Sequence, residues 1–403
     1  MENSTVYALW LILRCGAASE TSVKALRFFG SFEEIYNAEE KDFDKETFTS
    51  HEIEKLCRKD LSDAEALNGF CKENNIDIYT FFSSNYPPLL RDAEDPPVLL
   101  FGKGKMPDFS ALPSLTVVGS RKCSLDYGKI ASKICYDLSF SDFITVTGVA
   151  AGADTFAKKG ALLAGGKTVT ILPCGTETIY SDADREARRL GLGNGIILSE
   201  YLPHEKALRH HFIKRNRILA AISDATLVIC AEEKSGTLIT VEHARKMARP
   251  VFALPGSLSD TSSKGANDLI KTGATLCRSS LDIFDEYSAI FKGKLPEREE
   301  FIRRLRERIP AQKQEEKPPA PAPKPKTKPK TKPKKAAVKK LFDPVLEGTQ
   351  KEIYSLLKTG ALSADALCSR LSLPFSEVIT ELQTMQFDGT VEEVPGGLWH
   401  LIR

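Results

Sequence analysis

The sequence predicts an α/β protein: a doubly wound, mostly parallel sheet, with a helical module before it and a winged helix after it. Three observations carry this reading. From Leu115 to about Tyr287, short continuous apolar runs alternate with amphipathic stretches, the pattern of parallel strands covered by helices on both faces. Lys324 to Lys335 repeats a Lys/Pro unit that cannot build a core and marks a boundary. Beyond it, helix-period segments end in extended runs separated by glycines. A chain of 403 residues exceeds what one hydrophobic core organises, so several domains are expected.

Residues 1–80 read as a small helical, SAM-like module. Tyr7 to Leu13, Val23 to Phe29 closed by Gly30, and Glu52 to Cys71 place apolar residues at three and four spacing. The apolar run Val6 to Leu13 is preceded by Glu2 and closed by Arg14, which makes it too short and wrongly flanked for a signal peptide. Residues 81–292 open with Asn85-Tyr-Pro-Pro-Leu-Leu and Asp95-Pro-Pro-Val-Leu-Leu, whose prolines predict an extended lead-in without helix. Six strands follow, at Leu115–Gly119, Ile144–Gly148, Thr168–Leu172, Gly195–Ser199, Ala225–Cys230 and Pro250–Leu254. Helices are expected between them at Leu125–Leu138, Asp154–Ala164, Asp184–Leu190, His211–Ile222 and Ile239–Ala248. This is a Rossmann-like arrangement, whose ligands sit beyond the carboxyl ends of the strands. Residues 293–342 read as a non-globular tether, and residues 343–403 as three helices and a hairpin, a winged helix.

Charge is distributed unevenly along these parts. Residues 311–340 carry +9 and residues 341–403 carry −5, so the net +2 of the chain leaves −2 for the body before them. Eleven lysines in the tether can follow a phosphate backbone and add nonspecific affinity. The winged helix, with Glu377 and Glu381 on its third helix, opposes a polyanion; a structural or protein-contact role follows, with Leu398 and Trp399 as candidate contacts. With 42% hydrophobic and 27% charged residues, the chain is no collagen, wholly disordered chain or polytopic membrane protein. The nine cysteines are scattered, with no CxxC pair and no Cys/His cluster, which predicts a reduced, cytoplasmic protein without a structural metal.

Four segments are suited to anions. Gly119-Ser120-Arg121-Lys122 places a glycine, a hydroxyl and two cations at the end of the first strand of the alternating region, before a helix. Thr147-Gly148-Val-Ala-Ala-Gly152-Ala-Asp154 occupies the equivalent place after the next strand and leaves room for a ligand backbone. Phe212-Ile213-Lys214-Arg215-Asn216-Arg217 interleaves an aromatic with cations, as single-stranded nucleic acid requires. Helical spacing puts Phe212, Arg215 and Asn216 on one side and leaves Ile213, Ile218 and Ala221 for packing. Ser235-Gly236-Thr237 again opens a helix with small and hydroxyl residues. No cofactor is expected: Ala161 to Thr168 ends like a Walker A motif but lacks its first glycine and runs from helix into strand, and the dinucleotide GxGxxG fingerprint is absent. His210-His211 lacks further ligands nearby, and no Ser/His/Asp arrangement stands out.

Taken in order, VVGSRK (117–122), TGVAAGAD (147–154), GGKTVTILPCGTETIY (165–180), ILSEYLP (197–203), HFIKRNRILAAIS (211–223), SGTLITVEHA (235–244), ALPGS (253–257) and GANDLIKTGAT (265–275) resemble the DNA-processing protein A family, DprA/Smf. The resemblance implies a bacterial cytoplasmic protein that binds single-stranded DNA taken up in transformation, protects it and helps load the RecA recombinase. It also implies a homodimer through the Rossmann-like domain and no membrane partner. Arg121 with Ser120, and the Lys214-Arg215-Asn216 group, fall where the family binds the strand. The long Lys/Pro tether is not part of the usual pattern. The same sheet variant resembles the phosphoribohydrolases once called lysine decarboxylases, whose loop reads PGGxGTxxE. Here the glutamate position is Thr240, and Glu242 is displaced onto another helix face, so this enzyme reading loses its general acid/base.

Overall fold

A computed structural model describes residues 2–290, 295–308, 349–358, 360–373, 375–387, 390–394 and 398–401. The chain divides into two units, Met1–Glu315 and Glu316–Arg403.

The first unit is organised by a nine-stranded sheet. Its strands are β1 (Asp77–Thr80), β2 (Leu99–Gly104), β3 (Ser114–Val118), β4 (Ile144–Thr147), β5 (Lys167–Ile171), β6 (Gly195–Ser199), β7 (Ala225–Val228), β8 (Val251–Ala253) and β9 (Thr275–Leu276). They lie in the order β1-β2-β6-β5-β4-β3-β7-β8-β9. From β6 to β9 every neighbouring pair is parallel, whereas β2 pairs antiparallel with both β6 and β1. The central parallel strands β3, β4, β6 and β7 are buried on both faces, which is why they read as unbroken apolar runs, whereas the edge strand β9 is exposed. Helices Leu125–Ser139, Ala153–Leu163, Asp182–Gly191, Arg209–Ile222 and Thr237–Lys246 connect them, each within two residues of its expected start. The chain winds from β3 outward to β6, then returns to start again at β7 beside β3. That reversal opens a crevice at the carboxyl ends of β3 and β7, where open α/β sheets bind their ligands.

Four features depart from the sequence reading. The lead-in contains a short helix, Pro88–Arg91, because a proline at the first helical position gives up an amide that would be unpaired anyway. Glu52 to Cys71 is two helices, Ser50–Leu56 and Ser62–Glu73; between them the carbonyls of Arg58 and Lys59 accept from Trp10 Nε1 (2.9 Å) and the Tyr36 hydroxyl (2.6 Å). The helical module is not closed off at residue 80. Its core, from Leu9 and Trp10 to Ile53 and Cys71, continues into Leu99 and Phe101 of β2. Finally, the stretch read as tether from 293 holds a helix, Arg298–Arg308, docked by Phe301, which is fully buried and stacked at 4.2 Å on Phe284. The Lys/Pro repeat itself lies outside the described residues.

In the second unit, helices Thr349–Leu357, Ala364–Leu371 and Phe375–Phe387 surround a core of Ile353, Leu367, Val378, Leu382 and Met385. Strands β10 (Leu362–Ser363), β11 (Val391–Val394) and β12 (Leu398–Leu401) form an antiparallel sheet in the order β10-β12-β11. Trp399, expected as an outward contact, is instead buried in this core, because alternation along β12 sends it inward while Leu398 stays exposed. Glu377 is exposed, and Glu381 accepts a 2.7 Å hydrogen bond from Gln350 Nε2. Among the described residues, no helix is long and apolar enough to cross a membrane.

Candidate nucleic-acid interface

At the switch between β3 and β7 lies a cleft of about 480 Å³. Its walls are Val118 to Lys122 after β3, Phe212 to Leu219 on helix Arg209–Ile222, and Glu232 to Thr240 after β7. Ten of the fourteen residues expected at the site line it: Gly119, Ser120, Arg121, Lys122, Phe212, Arg215, Asn216, Ser235, Gly236 and Thr237. Elements separated by about a hundred residues of chain thus converge because parallel pairing sets Val118 beside Val228.

The first wall is a turn held at both ends. Ser120 N donates to Cys230 O across the sheet end (3.1 Å), and Lys122 N donates to the Ser120 hydroxyl (3.1 Å). Helix Leu125–Ser139 starts only at its Ser124 cap, so Ser120 to Lys122 form a separate turn rather than the helix start itself. Arg121 and Lys122 are exposed on it. The Arg121 guanidinium carbon stands 5.4 Å from the centre of the Phe212 ring, a cation over an aromatic face. Behind that ring Tyr180 packs edge-on at 5.5 Å and 87°. Tyr180 is in turn fixed by its backbone amide on Asp184 (3.1 Å) and by Arg188, which pairs with Asp184 at 2.7 Å and donates to the carbonyls of Thr176 and Thr178. The third wall is tied to the second: Asn216 Nδ2 reaches Gly236 O at 3.3 Å, and the Ser235 hydroxyl accepts from Thr237 N at 3.2 Å.

Five expected contacts are placed differently. Arg217 is buried and turned away from the cleft, paired with Glu200 and with Asp95, both at 2.7 Å. Burial works against its charge, but the two carboxylates outweigh it and hold the guanidinium above its ordinary pKa. Arg215 forms the cleft floor, but it is buried and donates to Ile171 O. Gly148 leaves no room for a ligand: a Cβ there would stand 2.5 Å from Arg215 Nη1 and 2.7 Å from Asp154 Oδ2. Gly152 adopts φ +82°, and a Cβ on it would meet the carbonyl oxygens of Ser120 at 2.6 Å and Arg121 at 2.7 Å. The glycines of the second loop therefore brace the first turn and do not line the cleft, which that loop reaches only through Ala150 and Asp154. Lys214 does not line it either, and Ile213, expected in the core, is 51% exposed on the cleft wall.

A charged layer thus makes up the floor, with Asp154 and Arg215 at the cleft and Lys158 behind them. Asp154, Lys158 and Arg215 are all buried there; burial pushes the Asp154 carboxyl up, Arg215 opposing it, and lowers Lys158 to about 7. The Lys158 ammonium donates to Ala187 O at 3.0 Å. Sequence reasoning missed Tyr180, which sits thirty-two residues from Phe212 and carried no local signal. It also passed over Arg209, exposed one helical turn ahead of Phe212. Thr240, standing where the phosphoribohydrolases carry glutamate, lines the cleft, whereas Glu242 is exposed and does not.

Comparison with known proteins bears on the fold and the family. The family model described as DNA recombination-mediator protein A matches residues 77–288, and one described as the DprA winged helix domain matches residues 317–397. The DNA processing protein DprA of Streptococcus pneumoniae is 38% identical over 209 residues, covering 52% of this chain and 73% of that one. Protein Smf of Escherichia coli is 30% identical over 325 residues, 80% of this chain and 76% of its own. The X-ray structure of DNA processing protein A from Streptococcus pneumoniae superimposes with a TM-score of 0.61 at 31% identity, over 70% of this chain and 98% of that one. With both the sheet domain and the winged helix matched, the chain belongs to the DNA recombination-mediator protein A family of DNA-processing proteins.

Proposed function

We propose that the chain binds single-stranded DNA in the cleft between β3 and β7, without sequence preference and without cleaving it. The observation that carries this reading is the pairing of exposed Arg121 with the half-buried Phe212 ring at the mouth of a hydroxyl- and amide-lined cleft. A base can stack on such a ring while the adjacent cations neutralise its phosphates. The groups sit on strand-end loops, so they track a flexible strand better than they read the groove of a duplex. The phosphoribohydrolase reading is disfavoured because the cleft offers Thr240 where that chemistry needs a carboxylate. In the cell this binding protects incoming single strands in the cytoplasm and helps load the RecA recombinase, with the chain acting as a homodimer. The name of the family, a recombination mediator, supports that role. The Lys/Pro run adds electrostatic affinity, and the acidic winged helix contacts protein.

The test is a titration of the full chain against single- and double-stranded oligonucleotides at two salt concentrations. We expect single strands to bind more tightly and affinity to fall with salt, with a log-log slope of about −0.7 per phosphate contact. Equal affinity for duplex, or release of free base from a nucleoside monophosphate, would overturn the reading.

A further inference from the structure

Phe212, the ring on which a base would stack, has little of its own to hold it in place. Its neighbours along the helix are engaged elsewhere: His211 is buried and stacked on Tyr201 at 4.0 Å, and Ile213 is exposed. Among the described residues, Phe212 joins none of the apolar cores of the first unit, so interior packing does not fix its ring. The ring instead meets the Arg121 guanidinium at 5.4 Å and the Tyr180 ring, edge-on, at 5.5 Å and 87°.

Tyr180 is anchored where Phe212 is not. It packs on a small core of Val149, Leu172, Ala187 and Ile197. Its amide donates to Asp184 Oδ2, and the adjacent Ser181 hydroxyl caps helix Asp182–Gly191 by accepting from Asp184 N, both at 3.1 Å. One turn into that helix, buried Arg188 pairs with Asp184 and donates to the carbonyls of Thr176 and Thr178. Gly175 N and Glu177 N donate in turn to Glu205 O (2.9 Å) and Pro203 O (2.7 Å). The loop from Gly175 to Ser181 is thus fastened along its length, yet Tyr180 does not line the cleft. We propose that Tyr180 is a positioning residue for single-strand binding: it passes the rigidity of this loop to the Phe212 ring and holds that ring as a base needs it, without touching the strand.

The physical reason is preorganisation. A phenylalanine ring turns about two side-chain bonds, and freedom that remains before binding is lost on binding. An edge-on aromatic partner narrows that freedom beforehand, because ring edges are positive and ring faces negative. The worth of such a pair corresponds to about two- to tenfold in affinity. Leucine in place of Tyr180 would still cover the Val149 to Ile197 core but would offer no ring edge, whereas phenylalanine keeps the edge and loses only the hydroxyl.

This role rests on the single-strand reading, and a double-mutant cycle keeps the two apart. Affinity of the full chain for a single-stranded oligonucleotide is measured for the parent, Tyr180→Phe, Tyr180→Leu, Phe212→Ala and the double variant Tyr180→Leu with Phe212→Ala. We expect Tyr180→Phe to bind within about twofold of the parent and Tyr180→Leu to bind about two- to tenfold more weakly. In the Phe212→Ala background, the Tyr180→Leu change should cost less than about twofold. A 2-aminopurine in the bound strand, at saturating protein, should lose quenching in Tyr180→Leu and keep it in Tyr180→Phe, a stacking signature that a general loss of stability does not produce. Parental binding or parental quenching in Tyr180→Leu would overturn the proposal, leaving Tyr180 as a space-filling residue. An equal loss in both backgrounds would also overturn it, since Tyr180 would then act independently of the ring. Phe212→Ala binding as tightly as the parent would instead take the ring out of the interface, and with it the observation behind the single-strand reading.

Discussion

The rim of the cleft and the layer beneath it both depend on arginine, and they use it in opposite ways. At the rim, Arg121 is exposed and touches an aromatic face, so its charge is screened, mobile and available to a phosphate. Beneath, Arg215 and Arg217 are buried, and each is held by groups that cannot leave: Ile171 O for the first, Glu200 and Asp95 for the second. In the interior a guanidinium without its partner is costly, so these residues are committed to holding β5, β6 and the lead-in segment around helix Arg209–Ile222. The same side chain thus leaves its charge open where water reaches it and fixes shape where water does not. Mutations should separate the two regions cleanly, since rim changes alter binding and floor changes alter folding.

The largest expected effect is on the floor. Arg217→Met strands the Glu200 carboxylate in the interior, a loss of about 3–5 kcal/mol. At the size of this unit that lowers Tm by roughly 10 °C, measured by calorimetry or circular dichroism. Adding Glu200→Gln should recover part of the loss, because the stranded charge is then gone. A Tm unchanged in Arg217→Met would put Arg217 back among the binding residues and dissolve the distinction between the two regions.

The next effect is at the rim. Phe212→Ala should weaken single-strand binding by about 1–3 kcal/mol, the range for losing one stacking platform. Arg121→Ala should reduce affinity less, mostly at low salt, and flatten the salt slope by about 0.7. Both variants should melt close to the parent, because an exposed loop cation and a half-buried ring contribute little packing. An Arg121→Ala chain that binds normally but unfolds early would show that the cation over the ring is structural.

How much of this was legible depended on whether the deciding contact was local. The alternation of apolar runs announced the parallel sheet, and small, hydroxyl and basic residues at the ends of β3 and β7 announced the cleft, because both patterns are written within single segments. In Phe212 to Arg217, helical spacing could place residues on faces but could not say which face met the acids. For Arg217 that was decided by Asp95 and Glu200 and for Arg215 by Ile171 O, all at positions far away in the chain, so two arginines read as open contacts are buried, and Ile213, read as core, is exposed. Tyr180 was invisible for the same reason. Helix Arg298–Arg308 was hidden differently: its composition is strongly charged, and one apolar face anchored by Phe301 was submerged in the polar stretch that follows.

The smallest effect also tests the floor, through pH. Lys158 is buried, and desolvation lowers its ammonium to about 7 against the neighbouring acids Asp154 and Asp184, which pull the other way. A lysine whose folded value lies below its unfolded value of 10.5 favours folding more as pH rises between the two, because in that window the unfolded chain holds a proton that the folded chain has released. Below pH 7 both states are protonated, and the desolvation cost is felt in full. Lys158→Met keeps the stem and removes the charge, so we expect it to melt above the parent at pH 6, and the gap to narrow by a few degrees (about 2–4 °C) at pH 9. Taking the difference between the two chains cancels the titration of groups they share. A gap that stays constant from pH 6 to pH 9 would mean that Lys158 keeps its proton in the fold, and that Asp154 and Asp184 make the layer under the cleft a true ion-pair network rather than a desolvated one.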